Sequence, residues 1–323
     1  MNTATKLSAY GVALALVAGG AWAVGSAVGP LEENTAADTG SAGHGETHGG
    51  TAAETGHAEA LPAGLASSRG GYTLAPVSTT LNPGPGTFSF RVTGPDGKPV
   101  TRFDVEHEKR MHLIVVRRDT AGFQHVHPTM SADGTWSVPL TLDQPGSYRA
   151  FADFAPTGGE ATTLGVDLAV PGDFRPAAYA PSRVARVDGY EVRLDGDLAP
   201  GKTAELNLTV SKDGKPVTDL QPYLGAYGHL VALRTGDLAY LHVHPDGEPG
   251  DGKTRPGPEV TFFAEVPSGG AYRLFLDFRH GDVVRTAEFT LVTDGHALPQ
   301  APAAPAPAPG ESAGHADDGH GHN

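Results

Sequence analysis

Six histidines recur at matched spacing in this 323-residue chain. His112 opens a run of Leu-Ile-Val-Val and is followed, after twelve intervening residues, by His125-Val-His127-Pro128. His229 opens Leu-Val-Ala-Leu and is followed at the same interval by His242-Val-His244-Pro245. Neutral imidazole is the commonest protein ligand for zinc, copper, nickel and iron, and three imidazoles converging on one point outline a metal site. The chain has no cysteine, so any metal must be held by His, Asp, Glu or one of only three methionines. Met111 offers a soft atom beside His112, but Gly228 stands in its place in the second copy. Asp153 and Asp277, each in a repeated Asp-Phe pair, are candidates for a fourth ligand or for a partner that orients an imidazole. The competing reading makes these carboxylates ordinary exposed or Arg-paired strand residues, and the histidines backbone-bonded groups at a sandwich end.

The elements that position these residues read as two β-hairpins. In each, an apolar strand follows the first histidine, a Gly/Asp turn reverses the chain, and the return strand ends at the His-Val-His pair. Side chains at i and i+2 of a strand share a face, so His125 and His127 point the same way. The antiparallel return brings His112 back beside them. One three-histidine site is therefore expected in each hairpin.

The hairpins belong to a tandem repeat. Asp96-Gly-Lys-Pro-Val-Thr101 matches Asp213-Gly-Lys-Pro-Val-Thr218, and Gly146-Ser-Tyr-Arg-Ala-Phe-Ala-Asp-Phe154 matches Gly270-Ala-Tyr-Arg-Leu-Phe-Leu-Asp-Phe278. Short alternating strands such as Thr87–Val92 and Ala204–Val210, broken by Gly/Pro turns, predict an all-β chain of two tandem Ig-like, cupredoxin-like β-sandwiches. Gly-x-Tyr-Arg before a late strand resembles the approach to a tyrosine corner. The expected boundaries are 71–171 and 189–293 for the sandwiches, with a proline-marked linker at 172–188.

Residues 1–30 carry an uncharged, mostly apolar run from Ala9 to Gly29, preceded by Lys6 and followed by acids. This predicts a membrane-anchoring helix with the bulk of the chain outside, or else a cleaved secretory signal ending near Ala23. Residues 31–70 read as a flexible linker and 294–323 as a Pro/Ala-rich disordered tail; both carry histidines suited to loose metal collection. The net charge of −14 makes nucleic acid a poor partner and a cation a natural one.

Three imidazoles favour Cu(II) over Zn(II) by the usual affinity order, so copper is expected first and zinc second. Because a ligating imidazole must be deprotonated, free-imidazole behaviour predicts metal release as pH falls through about 6. Sequestration, resistance or delivery follows as the expected role, with a metal transporter or cuproenzyme as recipient, and no catalysis.

On these residues the two units resemble extracytoplasmic YtkA-like or cupredoxin-like copper-handling domains, over about 71–170 and 189–292. The resemblance implies metal binding or transport accessory work. Blue-copper electron transfer is excluded by the missing cysteine. The His-Val-His is also similar to a strand of copper-zinc superoxide dismutase, although the disulfide cysteines are missing and no bridging histidine is identifiable. A cupin-like reading would use His242, His244, Glu248 and His280, but the first unit has Ser131 in the place of Glu248. A copper-dependent redox enzyme and a metal-free docking module of paired Ig-like domains are the two alternatives.

Overall fold

A computed structural model describes residues 62–241 and 243–293. The expected anchor at 1–30, most of the 31–70 linker, the tail at 294–323 and His242 lie outside the described residues. The described chain is all β, with no α-helix, and falls within one compact unit.

The first sandwich is built from β1 (Ser68–Arg69), β2 (Tyr72–Pro76), β3 (Gly84–Thr93), β4 (His112–Arg117), β5 (Gln124–Val126), β6 (Thr129–Met130), β7 (Thr135–Leu142), β8 (Gly146–Phe154) and β9 (Thr162–Val170). Its sheets run β1-β2-β3-β7-β6 and β5-β4-β8-β9. The second is built from β10 (Val184–Val187), β11 (Tyr190–Asp195), β12 (Lys202–Lys212), β13 (Lys215–Pro216), β14 (His229–Arg234), β15 (Tyr240–Leu241), β16 (Val243–Pro245), β17 (Glu259–Val266), β18 (Ala271–His280) and β19 (Val283–Val292). Its sheets run β10-β11-β12-β17-β16, with β13 pairing β12, and β15-β14-β18-β19. Two tandem β-sandwiches are thus what the repeat folds into.

Alternation explains the outer sheets. In β3, Phe88, Phe90 and Val92 turn inward while Thr87 and Arg91 face solvent. The inner sheets differ: all six residues of β4 and most of β8 and β18 are buried. One face of β4, Leu113 and Val115, packs into the core of its own sandwich. The other face, Ile114 and Val116, meets Phe151, Val231, Leu233, Leu238 and Phe275 in a separate core between the two sandwiches. Phe123 stacks on Phe275 with ring centroids 3.9 Å apart, and Tyr240 packs on Phe151 at 5.8 Å. A continuous apolar strand is what burial on both faces requires.

Both tyrosine corners form. Tyr148 donates its hydroxyl to the Gln144 carbonyl at 2.7 Å and Tyr272 to the Ser268 carbonyl at 2.6 Å, each tying a late strand to the turn before it.

Residues 62–70, expected to belong to a flexible linker, are instead part of the fold. The Gly64 amide donates to Thr163, and Tyr240 donates its amide to the Ala63 carbonyl, so this strap touches both sandwiches. Arg149 fixes it by donating to the Gly64 and Leu65 carbonyls at 2.7 and 2.8 Å. The expected linker at 172–188 likewise contains a strand, β10, paired along β11. Ordering here comes from buried backbone partners that local composition does not reveal.

Candidate metal centre

The first hairpin forms as its spacing requires: Leu113 pairs with Val126, Ile114 with His125 and Val115 with Gln124. After Val126 the chain leaves the inner sheet and enters β6 of the outer sheet, so His127 sits at the crossing point. His112, His125 and His127 come together, each offering one ring nitrogen within 4.8 Å of the others. Their ring centroids lie 5.0 to 5.4 Å apart.

Hydrogen bonding fixes where the lone pairs point. His112 Nε2 lies 3.1 Å from the Glu106 carbonyl oxygen. A carbonyl only accepts, so this nitrogen carries the proton and Nδ1 carries the lone pair. His125 Nδ1 lies 2.8 Å from Asp277 Oδ2, with the imidazole 1 % and the carboxylate 4 % exposed. The carboxylate takes that proton as a hydrogen bond, which leaves the lone pair on Nε2. The two remaining nitrogens, His112 Nδ1 and His125 Nε2, face each other at 3.2 Å. Two lone pairs at this distance repel unless a cation, a proton or a metal ion, lies between them. His127 Nε2 is buried and has no hydrogen-bond partner. A ligand nitrogen awaiting an ion looks like this, and a histidine satisfied by backbone does not.

The 3.2 Å between the His112 and His125 nitrogens and the ring spacing of all three fit an ion. With metal–nitrogen bonds of about 2.0–2.1 Å at tetrahedral angles, ligand nitrogens stand about 3.3 Å apart and imidazole centroids about 5.1 Å apart. Burial also keeps the rings unprotonated. Removal from water, helped by the neighbouring histidines, lowers His112 to about 4 and His127 to about 3.

The second repeat contributes across the interface. Asp277 lies opposite His229 in the β14–β18 ladder, yet its carboxylate orients His125 of the first repeat and also accepts from the Thr286 hydroxyl at 2.6 Å. The His229 ring is 4.9 Å from that of His125 and lies parallel to His112 at 5.7 Å, and burial pushes its pKa well below the usual value. His229 therefore stands with the first triad. His244 does not: it is exposed on β16, which pairs with the outer-sheet strand β17. Among the described residues one triad forms, His112, His125 and His127, and the second expected triad depends on His242, which lies outside them. Asp153 lies opposite His112 and accepts from the Thr163 hydroxyl at 2.8 Å, the counterpart of the Asp277–Thr286 bond.

Three other candidates fall elsewhere. Met111 is buried in the first core. His280, of the cupin-like grouping, bonds Tyr190 and Asp219, and Glu248 of the same grouping is exposed in a loop. His107 escaped the sequence reading because it has no repeat counterpart; its ring lies 6.1 Å from His112 and 5.7 Å from His229.

A family described as a domain of unknown function, DUF8832, matches residues 67–172 and again 185–295. The chain belongs to this family. The two DUF8832 regions coincide with the two sandwiches, β10 included. No curated protein matches the chain. Among solved structures, the chain is similar to a Salmonella alpha-2-macroglobulin mutant at 15 % identity, over 72 % of this chain and 15 % of that one, with a TM-score of 0.25. It is similar to invasin, a bacterial integrin-binding protein, at 14 % identity over 69 % of this chain and 40 % of that one, with a TM-score of 0.21. A membrane-anchored protein from Corynebacterium diphtheriae gives 10 % identity over 72 % of this chain and 60 % of that one, with a TM-score of 0.22. The chain thus spans less than two thirds of each of these proteins, and scores this low carry no argument about its role.

Proposed function

We propose that this DUF8832 protein is an extracytoplasmic, membrane-anchored metal-binding protein, serving sequestration, resistance or delivery of a first-row transition metal. One observation carries the reading: the partners of His112 and His125 turn both free nitrogens onto a common point, and His127 brings a ring nitrogen within 4.8 Å of theirs. A buried carboxylate behind one ligand and a carbonyl behind another are the supports that metal-ligating histidines need. The affinity order supports copper as cargo and the near-tetrahedral spacing supports zinc, so both belong in the test. The charge and the run at Ala9–Gly29 support placement at the outer face of a membrane, with a metal transporter or cuproenzyme as recipient.

The test uses the full chain with the seven histidines outside residues 62–293 replaced by glutamine, so that no histidine before residue 62 or after residue 293 can bind. Titration with Zn(II) and Cu(II) in competition should retain one tightly bound ion at the described triad, lost in His125→Ala. Absence of any retained ion would remove the metal reading and leave a pair of docking sandwiches.

A further inference from the structure

Beside the triad lies a cavity of about 820 Å³ whose lining includes Arg69, Glu106, His107, Asp153, Glu160 and His244. Three carboxylates against one guanidinium give it a negative potential that concentrates cations at its mouth. His107 is exposed on this cavity, yet its ring also approaches the buried cluster.

The turn that puts it there is unusual. Glu106 and Lys109 exchange both backbone hydrogen bonds, at 2.8 and 2.9 Å, around His107 with φ 46° and Glu108 with φ 66°. A two-residue turn with positive φ at both centres favours glycine or asparagine. The second repeat makes the same turn between Tyr223 and Ala226, with Leu224 and Gly225 at the centres. The first repeat therefore places a histidine, and a strained glutamate, where its counterpart has an apolar residue and a glycine. Such strain is tolerated where a site needs the side chain it displays. The same turn supplies the Glu106 carbonyl that fixes the His112 tautomer.

We propose that His107 is the gateway ligand through which the metal cargo passes between the cavity and the triad, by way of His229. This rests on the metal-binding reading above. Ring centroids step 5.7 Å from His107 to His229 and 4.9 Å from His229 to His125. Each step is within the reach of an ion shared by two imidazoles. At each handover one nitrogen–metal bond forms as a water or the previous imidazole leaves, and the ion keeps its oxidation state.

The test compares the full chain lacking tail histidines with its His107→Leu variant, which copies the residue of the second repeat, and with His107→Gly, which relaxes the turn. Stopped-flow mixing with Zn(II), and removal of Zn(II) by a chelator, give the two rates. In both variants the stoichiometry and Kd should hold while association and removal each slow by about tenfold or more. Unchanged rates would overturn the gateway. A Kd weakened about tenfold with association unchanged would also overturn it, making His107 a resident ligand. A parent protein that binds no Zn(II) would overturn the metal reading itself, before any comparison of variants.

Discussion

Replacing Asp277 with asparagine should weaken the site's preference for metal. The Thr286 hydroxyl donates to Asp277 Oδ1 at 2.6 Å; an asparagine that keeps its carbonyl oxygen on this donor turns its amide N–H2 toward His125 Nδ1. His125 must then accept at Nδ1 and carry its proton on Nε2, which faces His112 Nδ1 at 3.2 Å. The gap that should hold an ion is closed by an N–H···N hydrogen bond. That bond and the new amide bond to Nδ1 contribute about 1 kcal/mol each, against about 1.5–3 kcal/mol lost with the charge-assisted bond to Asp277, so the metal-free protein loses at most about 1 kcal/mol. Metal affinity should fall about 10–100-fold, as for other orienting groups behind a ligating histidine. Competition titration with Zn(II) measures the affinity, thermal melts with and without metal measure the stability, and imidazole nitrogen NMR reads the His125 tautomer. An Asp277→Asn variant that binds Zn(II) as tightly as its parent, with the proton still on Nδ1, would refute the reasoning.

The remaining predictions concern pH, the inter-sandwich core and the gateway. Because His112 and His127 are lowered by burial to about 4 and about 3, metal should be retained well below the pH of about 6 expected for free imidazole and lost as pH approaches 4, which a pH-stepped dialysis would show. For the metal-free protein the sign is the same: the unfolded histidines bind protons below about 6.5, the folded ones do not, and stability should decline from there toward pH 4 in thermal melts. Phe275→Ala, which removes the ring stacked 3.9 Å above Phe123, should cost about 3–5 kcal/mol and split a single unfolding transition into two. It should weaken metal binding as well, since Asp277 two residues on is held by the same packing; unchanged denaturation midpoints would contradict this. His107→Leu should slow metal exchange in both directions without altering stoichiometry, as developed above.

The hairpin and the triad were legible in the sequence because both follow from local rules: strand alternation puts His125 and His127 together, and an antiparallel return brings back His112. The tyrosine corners were legible for the same reason. The joining of the repeats was not inferred, although Leu-Ile-Val-Val after His112 carried its signal as an apolar run too continuous for a one-sided strand. Without that second face, Asp277 could not be matched to His125, which lies 152 residues earlier. His107 was invisible because a positive-φ turn filled by His-Glu breaks the residue preference by which such turns are recognised. The strap at 62–70 was hidden by its Gly/Ala composition, since the partners of its backbone lie on Arg149, Thr163 and Tyr240.

X-ray absorption on the Zn(II)-loaded full chain lacking tail histidines tests the central claim most directly. One ion per chain surrounded by three or four imidazole nitrogens at about 2.0–2.1 Å is the predicted result. A first shell of oxygen atoms alone, or imidazole scattering that survives replacement of both His112 and His125, would contradict it.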